Sequence, residues 1–306
     1  MSGGGPRCPI CGRPLRRATG TSRLSVERCS SCGHSVAEHG SGAENDVDYH
    51  RQYDEGGFLS SLATTRRRQA KTILERIRAE LPDADALVDF GAGRGWFLEE
   101  ARAAGMRKLA GTDTSRESVR GLREQGVEGL LIAPPTENAW DLKLGALSFR
   151  PRVLTFLDVI EHFPAQRQST MFADIVDQLR PELELVVIKV PVADGLLYRM
   201  ASGLARARVS GPLEQLYQVG TFPPHYSYFS RRSLAEFLRR QRLRQAAAFG
   251  LLEFDPSTFG SRVTALRRTP QAVTRLLGKT AALVAERTTQ DSYVVLARPM
   301  ASGDRP

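Results

Sequence analysis

Three glycines follow a short apolar run that contains an acidic residue, in the order Leu-Val-Asp89-Phe-Gly91-Ala-Gly93-Arg-Gly95-Trp96. The apolar run predicts a buried strand, and the apolar spacing after Trp96 predicts a helix. Glycines allow the connecting turn to approach a ligand closely, and the N–H groups at the helix start can bind it. A dinucleotide-binding turn would place its third glycine at position 96. The sequence therefore predicts a ligand-binding loop and disfavours a nicotinamide-dependent dehydrogenase.

Two later apolar runs also end in acids. Asp113 ends Ala-Gly-Thr-Asp, twenty residues after Gly93, where a carboxylate can accept hydrogen bonds from both hydroxyls of a ribose. Asp158 follows Val-Leu-Thr-Phe-Leu and begins the sequence Asp-Val-Ile-Glu-His. Together these motifs resemble those of the class I S-adenosylmethionine-dependent methyltransferases, the last being similar to the fourth motif of one branch. The resemblance covers about residues 83–298 and implies a seven-stranded, Rossmann-like α/β sheet that ends in an antiparallel hairpin.

The resemblance also implies which residues hold S-adenosylmethionine. The first acid and the glycine loop would bind the methionyl end, the second acid the ribose, and the third acid would form the wall beside the transferred methyl group. The expected cofactor-binding residues are Asp89, Gly91, Gly93, Gly95, Asp113, Thr114, Asp158 and Val159.

An acid that contacts adenine is expected in the loop after the third strand of the family. Three residues of that loop are candidates here, Glu137, Asn138 and Asp141. The loop matches the family pattern poorly, and the sequence does not choose among them.

Methyl transfer to a hydroxyl, amine or acidic carbon releases a proton, which histidine can accept near neutral pH. The two candidates for this catalytic role are His162, in the Asp-Val-Ile-Glu-His motif, and His225, in Pro-Pro-His-Tyr-Ser-Tyr-Phe-Ser. We favour His225, because related methyltransferases of sugars and small molecules place a histidine or tyrosine there. Tyr226 and Tyr228 are alternatives, and Glu161 is expected to orient a histidine or to bind the acceptor. A structural role for each histidine also stays open.

All four cysteines lie near the start of the chain, as Cys8-Pro-Ile-Cys11 and Cys29-Ser-Ser-Cys32. Two C-x2-C pairs with seventeen residues between them match the spacing of a four-thiolate zinc site, which is structural because no coordination position stays open. Disulfides are the alternative and are disfavoured if the protein is intracellular. With four thiolates available, His34 and His39 are expected to be solvated.

The composition predicts a globular protein. The chain has 306 residues, of which 41% are hydrophobic and 25% charged, with a formal net charge of +9. No apolar run is long enough to span a membrane, and the first twenty residues lack the apolar core of a signal peptide, so we expect a cytoplasmic protein. The positive charge allows a nucleic-acid partner, but the basic residues are scattered, which is typical of solvated helix faces.

Residues 1–40 are predicted to form a zinc ribbon and residues 41–82 a linker with a helical cap. Within that cap a helix is expected over Thr64–Leu81, and Tyr49, Tyr53 and Phe58 could line the cofactor pocket or simply dock the linker. Residues 83–300 are expected to form the methyltransferase domain, with an insertion at about residues 192–222 that we expect to be a lid or an acceptor-binding segment.

The later elements follow the family order. Helices are expected at Arg116–Gln125, at Met171–Leu179, after an N-cap at Ser230, and at Gln271–Glu286. Strands are expected at Val127–Ile132, Val153–Leu157, Leu183–Val190, Ala246–Phe254 and Ser292–Ala297.

The leading hypothesis is a methyltransferase that acts on a small molecule such as a sugar, a glycan precursor or a secondary metabolite. An RNA methyltransferase is the alternative, although no aromatic residue lies between Cys8 and Cys32 to stack on a base. A cofactor-binding regulator without catalysis is the third hypothesis. The sequence does not determine the acceptor, the methylated atom or the oligomeric state.

Overall fold

The computed structural model of the chain describes residues 5–40, 58–132, 142, 144–252 and 291–301. For residues 58–61 it describes the backbone only. Several predictions from the sequence lie outside these residues. They concern Tyr49, Tyr53, the side chain of Phe58, the adenine-loop candidates Glu137, Asn138 and Asp141, and the helix Gln271–Glu286.

Within the described residues, eleven strands form a four-stranded and a seven-stranded sheet. In chain order the strands are β1 (Leu15–Gly20), β2 (Leu24–Cys29), β3 (Ser35–His39), β4 (Ala86–Phe90), β5 (Lys108–Asp113), β6 (Glu128–Leu131), β7 (Val153–Leu157), β8 (Leu185–Pro191), β9 (Ser227–Tyr228), β10 (Leu243–Leu251) and β11 (Ser292–Pro299).

Seven α-helices connect or cover these strands in the described part of the chain. They are α1 (Phe58–Glu80), α2 (Trp96–Ala103), α3 (Arg116–Glu124), α4 (Gln168–Leu179), α5 (Leu196–Arg206), α6 (Gly211–Leu216) and α7 (Arg231–Arg240). None of them, over the ranges that the structure describes, combines the length and the apolar character that a membrane crossing needs.

The large sheet has the strand order β6-β5-β4-β7-β8-β11-β10. The five strands from β6 to β8 are parallel, whereas β11 runs antiparallel to both of its neighbours. This arrangement confirms the predicted seven-stranded α/β sheet with a closing antiparallel hairpin. In such a sheet the carboxyl ends of the parallel strands meet along one edge, where ligands bind.

Helices cover both faces of the large sheet because its central strands are buried and apolar on both sides. On one face Ile73 and Ile77 of α1 join a cluster with Leu98 of α2. On the other face Phe172 of α4 and Phe237 of α7 pack into the larger cluster. The sheet is therefore held between two helical layers and can position its edge loops rigidly.

The small sheet joins the first forty residues to a distant part of the chain. Its order is β1-β2-β3-β9, and β9 pairs Ser227 with Val36 and Tyr228 with Ser35. Leu24 of β2 lies in one apolar cluster with Tyr198 of α5. The ribbon thus shares both a sheet and a hydrophobic core with residues 193–228.

Several element boundaries differ from the prediction. Helix α1 begins at Phe58 rather than at Thr64, and β10 spans Leu243–Leu251 rather than Ala246–Phe254. β10 begins earlier because Leu243 is buried and pairs with Pro299 directly after α7. The segment 192–222, for which no regular element was predicted, contains α5 and α6.

The expectation that His34 and His39 are solvated is wrong. His34 is completely buried and packs edge-on against Phe229, with ring centroids 4.8 Å apart. The Nε2 atom of His39 lies 2.9 Å from the carbonyl oxygen of His225. Both histidines belong to the contact between the ribbon and the rest of the molecule, a contact that the cysteine spacing does not reveal.

Candidate active site

The glycine loop connects β4 to α2 at the carboxyl edge of the large sheet. Gly91 and Gly93 have φ angles of +74° and +53°, in the left-handed region that favours glycine. A Cβ atom on Gly91 would lie 2.7 Å from Cγ2 of Val159, so glycine is needed there for packing. A Cβ on Gly93 would have no neighbour within 4 Å among the described residues. Gly93 is thus the point where a ligand can approach the backbone.

Asp89 lies at the end of β4 and is buried, with a 3% exposed residue surface. The hydroxyl of Thr155, on the neighbouring strand β7, donates a 2.5 Å hydrogen bond to Oδ1 of Asp89. Burial raises the pKa of Asp89 to about 7, the Thr155 hydrogen bond opposes this rise, and the charge of Asp113 adds to it. The carboxyl group therefore changes charge near neutral pH, unlike an exposed aspartate.

Asp113 ends β5 next to the glycine loop. The backbone N–H of Gly93 donates to its Oδ2 over 2.9 Å, and the N–H of Ser115 donates to its Oδ1 over 2.8 Å. These bonds fix the carboxylate beside the loop, and a carboxylate oxygen can accept more than one hydrogen bond. Thr114 follows directly and is exposed.

Asp158 follows β7 and is held by two cations. Lys189 of β8 donates to both carboxylate oxygens over 2.7 Å, and Arg66 of α1 forms an ion pair with Oδ2. Burial alone would raise the pKa of Asp158, but the charges of Arg66 and Lys189 outweigh it and hold the pKa below its usual value. The ion pairs attach α1 across the carboxyl edge of the sheet.

Asp158 also has an unusual backbone conformation, with a φ angle of +59°. For a residue other than glycine this region costs about 1 kcal/mol or more. The following Val159 touches the glycine loop at Gly91. The geometry thus brings together the third expected acid and the loop that carries the first.

Beyond Val159, a single 3-10 turn over Ile160–His162 carries Glu161 and His162. The ring of His162 packs edge-on against that of His225, with centroids 4.6 Å apart. One possible ligand atom from each of Glu161, His162 and His225 lies within 4.8 Å of the others. We refer to these three residues as the acceptor cluster.

Burial controls the charge of the acceptor cluster. It raises the pKa of Glu161 well above its usual value, and the charge of Asp158 acts in the same direction. It lowers the pKa of His162, although a bond to the Pro224 carbonyl opposes this change. Burial, together with His162, holds the pKa of His225 well below its usual value. Both imidazoles are therefore neutral at neutral pH and present lone pairs.

Backbone hydrogen bonds connect the segment around His225 to its surroundings on three sides. The N–H of Tyr226 donates to the carbonyl of Glu161 over 2.9 Å, and the N–H of His225 donates to that of Tyr217 over 3.2 Å. On the ribbon side, the N–H of Ala37 donates to the carbonyl of Tyr226 over 2.9 Å. The position of His225 therefore depends on the 3-10 turn, on α6 and on the ribbon.

The sequence predicted the N-cap at Ser230 correctly but not its second contact. Ser230 and Ser233 form reciprocal capping bonds at the start of α7. The Ser230 hydroxyl also donates a 2.5 Å hydrogen bond to the carbonyl of Cys32. One side chain thus orients α7 and the second cysteine pair together.

The sequence reasoning missed Arg66 and Lys189. Lys189 interrupts the apolar run Val-Val-Ile-Lys-Val and its residue surface is only 1% exposed. A lone lysine inside a predicted buried strand was a usable signal, because such a charge requires a partner. Arg66 lies in a run of three arginines on α1, and nothing in the run distinguishes it from its neighbours.

The four cysteines converge in the ribbon as free thiols. The sulfur of Cys8 lies 3.6 Å from that of Cys32, and the sulfur of Cys11 lies 3.4 Å from that of Cys29. Four sulfurs at the Zn–S bond length around one ion would be separated by about 3.8 Å. The observed arrangement therefore fits a tetrahedral metal site.

Comparisons with known proteins agree with this fold. Residues 62–244, more than half of the chain, match a family described as a methyltransferase domain. No curated protein matches the sequence significantly.

Among solved structures, one similar protein is an S-adenosylmethionine-dependent methyltransferase from Archaeoglobus fulgidus, with 16% identity, coverage of 82% of this chain and 100% of that one, and a TM-score of 0.48. Another is a 1,6-didemethyltoxoflavin-N1-methyltransferase from Burkholderia thailandensis, with 17% identity, coverage of 92% and 97%, and a TM-score of 0.47. A third is the magnesium protoporphyrin IX methyltransferase of Synechocystis, with 14% identity, coverage of 82% and 92%, and a TM-score of 0.48.

Proposed function

Because the chain belongs to the methyltransferase-domain family, we propose that it transfers the methyl group of S-adenosylmethionine to a small-molecule acceptor. The observation that carries this proposal is the convergence of Asp89, Asp113 and Asp158 around a glycine loop whose middle residue, Gly93, faces open space. Two of these acids contact or adjoin the loop, and the third is joined to it through Val159. The acids would bind one cationic nucleoside.

The role of each residue follows from its position. Gly93 would let the methionyl end of the cofactor pass close to the backbone, and ionised Asp89 would attract its ammonium group. Asp113, already oriented by the N–H of Gly93, would accept hydrogen bonds from the ribose hydroxyls. Val159 and the backbone at Asp158 would form the wall beside the methyl group.

The sulfonium already activates the methyl group, so the protein has mainly to align the acceptor and exclude water. The acceptor cluster lies next to the proposed methyl position, two residues beyond Val159. His225 or His162, neutral because of their burial, would take part in removing the proton of the acceptor, with Glu161 orienting them. Glu161 and His225 are buried and His162 is partly buried, which favours an acceptor small enough to enter a pocket over an RNA duplex.

The position and the surface of the insertion 192–222 support an acceptor-binding role for it. Helix α5 begins just after β8, hence at the carboxyl edge of the sheet, and the N–H of Leu197 is fixed by Asp291 over 2.8 Å. Its exposed residues include four large apolar side chains, Leu196, Leu197, Met200 and Leu204, all at least 38% exposed. Such a surface fits a partly apolar acceptor such as a secondary metabolite.

The four cysteines are proposed to hold a structural zinc ion. The sulfur separations fit, and two left-handed glycines, Gly12 and Gly33, close the turns by donating to the carbonyls of Cys8 and Cys29. No coordination position would stay open for chemistry. The zinc would stabilise the ribbon, which in turn contacts the segment that carries His225.

Calorimetric titration of the full chain with S-adenosylmethionine and with S-adenosylhomocysteine tests the cofactor. We expect binding of both, and at least about tenfold weaker binding by Gly93→Ala, because the added methyl group occupies the space of the ligand. Gly105→Ala is the matched control, since Gly105 also has a positive φ and an uncrowded Cβ position but follows α2 at the opposite edge of the sheet. Absence of binding by the unmodified chain would overturn the proposal.

The acceptor is then identified by incubating the protein with methyl-labelled cofactor and a metabolite extract, followed by mass spectrometry. Label in a small molecule would support the proposed acceptor class. Label only in RNA would support the alternative that the basic charge suggests.

A further inference from the structure

The acceptor cluster combines three side chains that can each bind a metal ion. One oxygen of Glu161, one ring nitrogen of His162 and one of His225 lie mutually within 4.8 Å. The first two residues are adjacent on a 3-10 turn after β7, and the third comes from the loop before β9. The fold therefore assembles a set of one carboxylate and two imidazoles from two separate segments.

The hydrogen bonds of the two imidazoles leave the same ring atom available on each. Nδ1 of His162 lies 2.9 Å from the carbonyl oxygen of Pro224. Because a carbonyl only accepts hydrogen bonds, Nδ1 must carry the proton, and the lone pair lies on Nε2. This is the tautomer that a metal-binding histidine adopts when its other ring nitrogen donates to a backbone carbonyl.

His225 has an equivalent arrangement. The hydroxyl of Tyr228 donates its proton to the carbonyl of Leu216 over 2.8 Å, so it can only accept at Nδ1 of His225, 3.2 Å away. The lone pair of His225 is again on Nε2, where the side-chain amide of Gln218 lies 3.0 Å away. A metal ion would replace that weak amide contact.

The surroundings of the Glu161 carboxyl group point to a bound ion independently of the two histidines. The residue has no exposed surface, and neither carboxyl oxygen has a hydrogen-bond partner among the described residues. A buried polar group without a partner costs about 1–3 kcal/mol, and more when it is charged. The nearby cations Arg66 and Lys189 both pair with Asp158. A divalent ion bound between Glu161 and the two histidines would satisfy the carboxylate.

We propose that Glu161, His162 and His225 bind a divalent transition-metal ion through one carboxylate oxygen and the two Nε2 atoms. Two imidazoles and one carboxylate suit zinc, cobalt, iron and manganese better than magnesium or calcium, which prefer oxygen ligands. Three protein ligands leave coordination positions open, in contrast to the four-cysteine site.

The cluster begins two residues after Val159, the residue proposed to form the wall beside the methyl group, so the ion would hold an oxygen of the acceptor. This part rests on the proposed function, and it selects an acceptor that carries a hydroxyl group. Metal coordination lowers the pKa of such a hydroxyl. The hydroxyl proton would then pass to water instead of to a histidine, and the acceptor oxygen would take the methyl group as S-adenosylhomocysteine leaves.

Cobalt titration of the full chain, with zinc already in the cysteine site, tests the metal site. Cobalt bound to nitrogen and oxygen gives weak visible absorption, whereas cobalt bound to thiolates adds strong charge-transfer bands, so the two sites are distinguishable. We expect one cobalt ion per chain without the thiolate bands. Glu161→Gln and His225→Asn should each weaken its binding at least about 100-fold, since loss of a supporting residue alone costs 10–100-fold.

Two further variants sharpen this test. Tyr228→Phe removes the acceptor for Nδ1 of His225 and should weaken cobalt binding about 10–100-fold, which identifies Tyr228 as a positioning residue. Glu75→Gln, at an exposed position of α1, is the control and should leave binding unchanged. Circular dichroism spectra verify that each variant is folded.

The outcomes separate this proposal from the proposed function. The metal site alone would be overturned if the protein binds the cofactor but not cobalt. It would also be overturned if cobalt binding is unchanged in Glu161→Gln and His225→Asn. Cobalt binding that depends on both residues supports it, even in a chain that does not bind S-adenosylmethionine. In that case only the assigned acceptor role would be lost.

Discussion

The cofactor side of the candidate active site, comprising Asp89, Asp113 and the loop 91–95, is built locally, whereas the acceptor cluster is built from distant segments. Asp113 accepts hydrogen bonds from Gly93, twenty positions away in the same strand-helix-strand unit, and from Ser115, two positions away. His162 instead bonds to the carbonyl of Pro224, which lies 62 positions further along the chain. The two sides also differ in the hydrogen bonds of their carboxyl groups, since neither carboxyl oxygen of Glu161 has a hydrogen-bond partner in the described part of the molecule.

The second difference between the two sides is their relation to the ribbon. The side chain of His39 contacts the carbonyl of His225, and β3 of the ribbon pairs with β9. The side-chain hydrogen bonds of Asp89 and Asp113 described above are made with Thr155, Gly93 and Ser115, none of which lies in the ribbon. We therefore expect a change in the ribbon to affect acceptor binding more than cofactor binding.

The largest expected effect comes from breaking the four-cysteine site. In Cys32→Ser the ribbon loses one of its four proposed zinc ligands, and metal binding supplies most of the folding free energy of such small units. We expect hydrogen exchange of the backbone amides at 225–229 to accelerate at least tenfold, because their partners in β3 become mobile. The amides at 87–95 should keep their protection, and the affinity for S-adenosylmethionine should change by less than about twofold.

The control for this variant is Ser30→Ala, an exposed position in the same turn. It should leave both regions unchanged. Retained protection at 225–229 in a Cys32→Ser chain whose ribbon exchanges freely would contradict the dependence of the acceptor side on the ribbon.

A smaller effect is expected at the boundary between the two sides, where Lys189 neutralises Asp158. Lys189→Met leaves a buried carboxylate with Arg66 alone and should lower the free energy of unfolding by about 3 kcal/mol, the lower end of the range for a broken buried ion pair. Urea denaturation measures the change. Adding Asp158→Asn should recover much of the loss, because the uncompensated charge is then removed.

Lys71→Met serves as the comparison for Lys189→Met. The Lys71 side chain is 68% exposed and its nitrogen lies 3.8 Å from Glu100, so the variant should change stability by less than about 1 kcal/mol. Equal effects of the two lysine variants would mean that the Lys189–Asp158 pair contributes no more than a surface pair.

The same contrast explains what could be predicted from the sequence. The positions of β4, β5 and β7 follow from apolar runs that each end in an acid, and Asp89, Asp113 and Asp158 do lie at the ends of these three neighbouring strands. These signals are local, since a strand, its turn and the next helix are consecutive in the chain. The family resemblance then supplied the order of the strands.

The ribbon contacts could not be predicted in this way. The two-residue strand β9 has no periodicity to detect, and His34 is buried only because Phe229 covers it. Similarly, the partners of Asp158 come from α1 and β8, and an arginine among arginines carries no positional signal. Such pairings depend on tertiary packing, which overrides the local preference for polar residues to be exposed.

The smallest effect is expected on the cofactor side, where the charge of Asp89 should make the affinity for S-adenosylmethionine depend on pH. Since burial raises its pKa to about 7, the free protein carries a neutral carboxyl group below that pH. The ammonium group of S-adenosylmethionine is expected to bind the ionised form, so the affinity should fall towards tenfold per pH unit below about pH 7. Calorimetry at pH 5.5 to 8, at values spaced by about half a unit, measures this slope.

The stability of the free protein should change with pH in the opposite direction to the affinity, decreasing as the pH rises. A carboxyl group with a raised pKa in the folded state stabilises the fold fully below its unfolded pKa, and this contribution declines as the pH rises towards about 7. Asp89→Asn cannot ionise and should remove both pH dependences, with weak cofactor binding at every pH. If the affinity of the unmodified protein is flat from pH 5.5 to 8, ionised Asp89 does not bind the cofactor, and the local polar contacts of the cofactor side must act through Asp113.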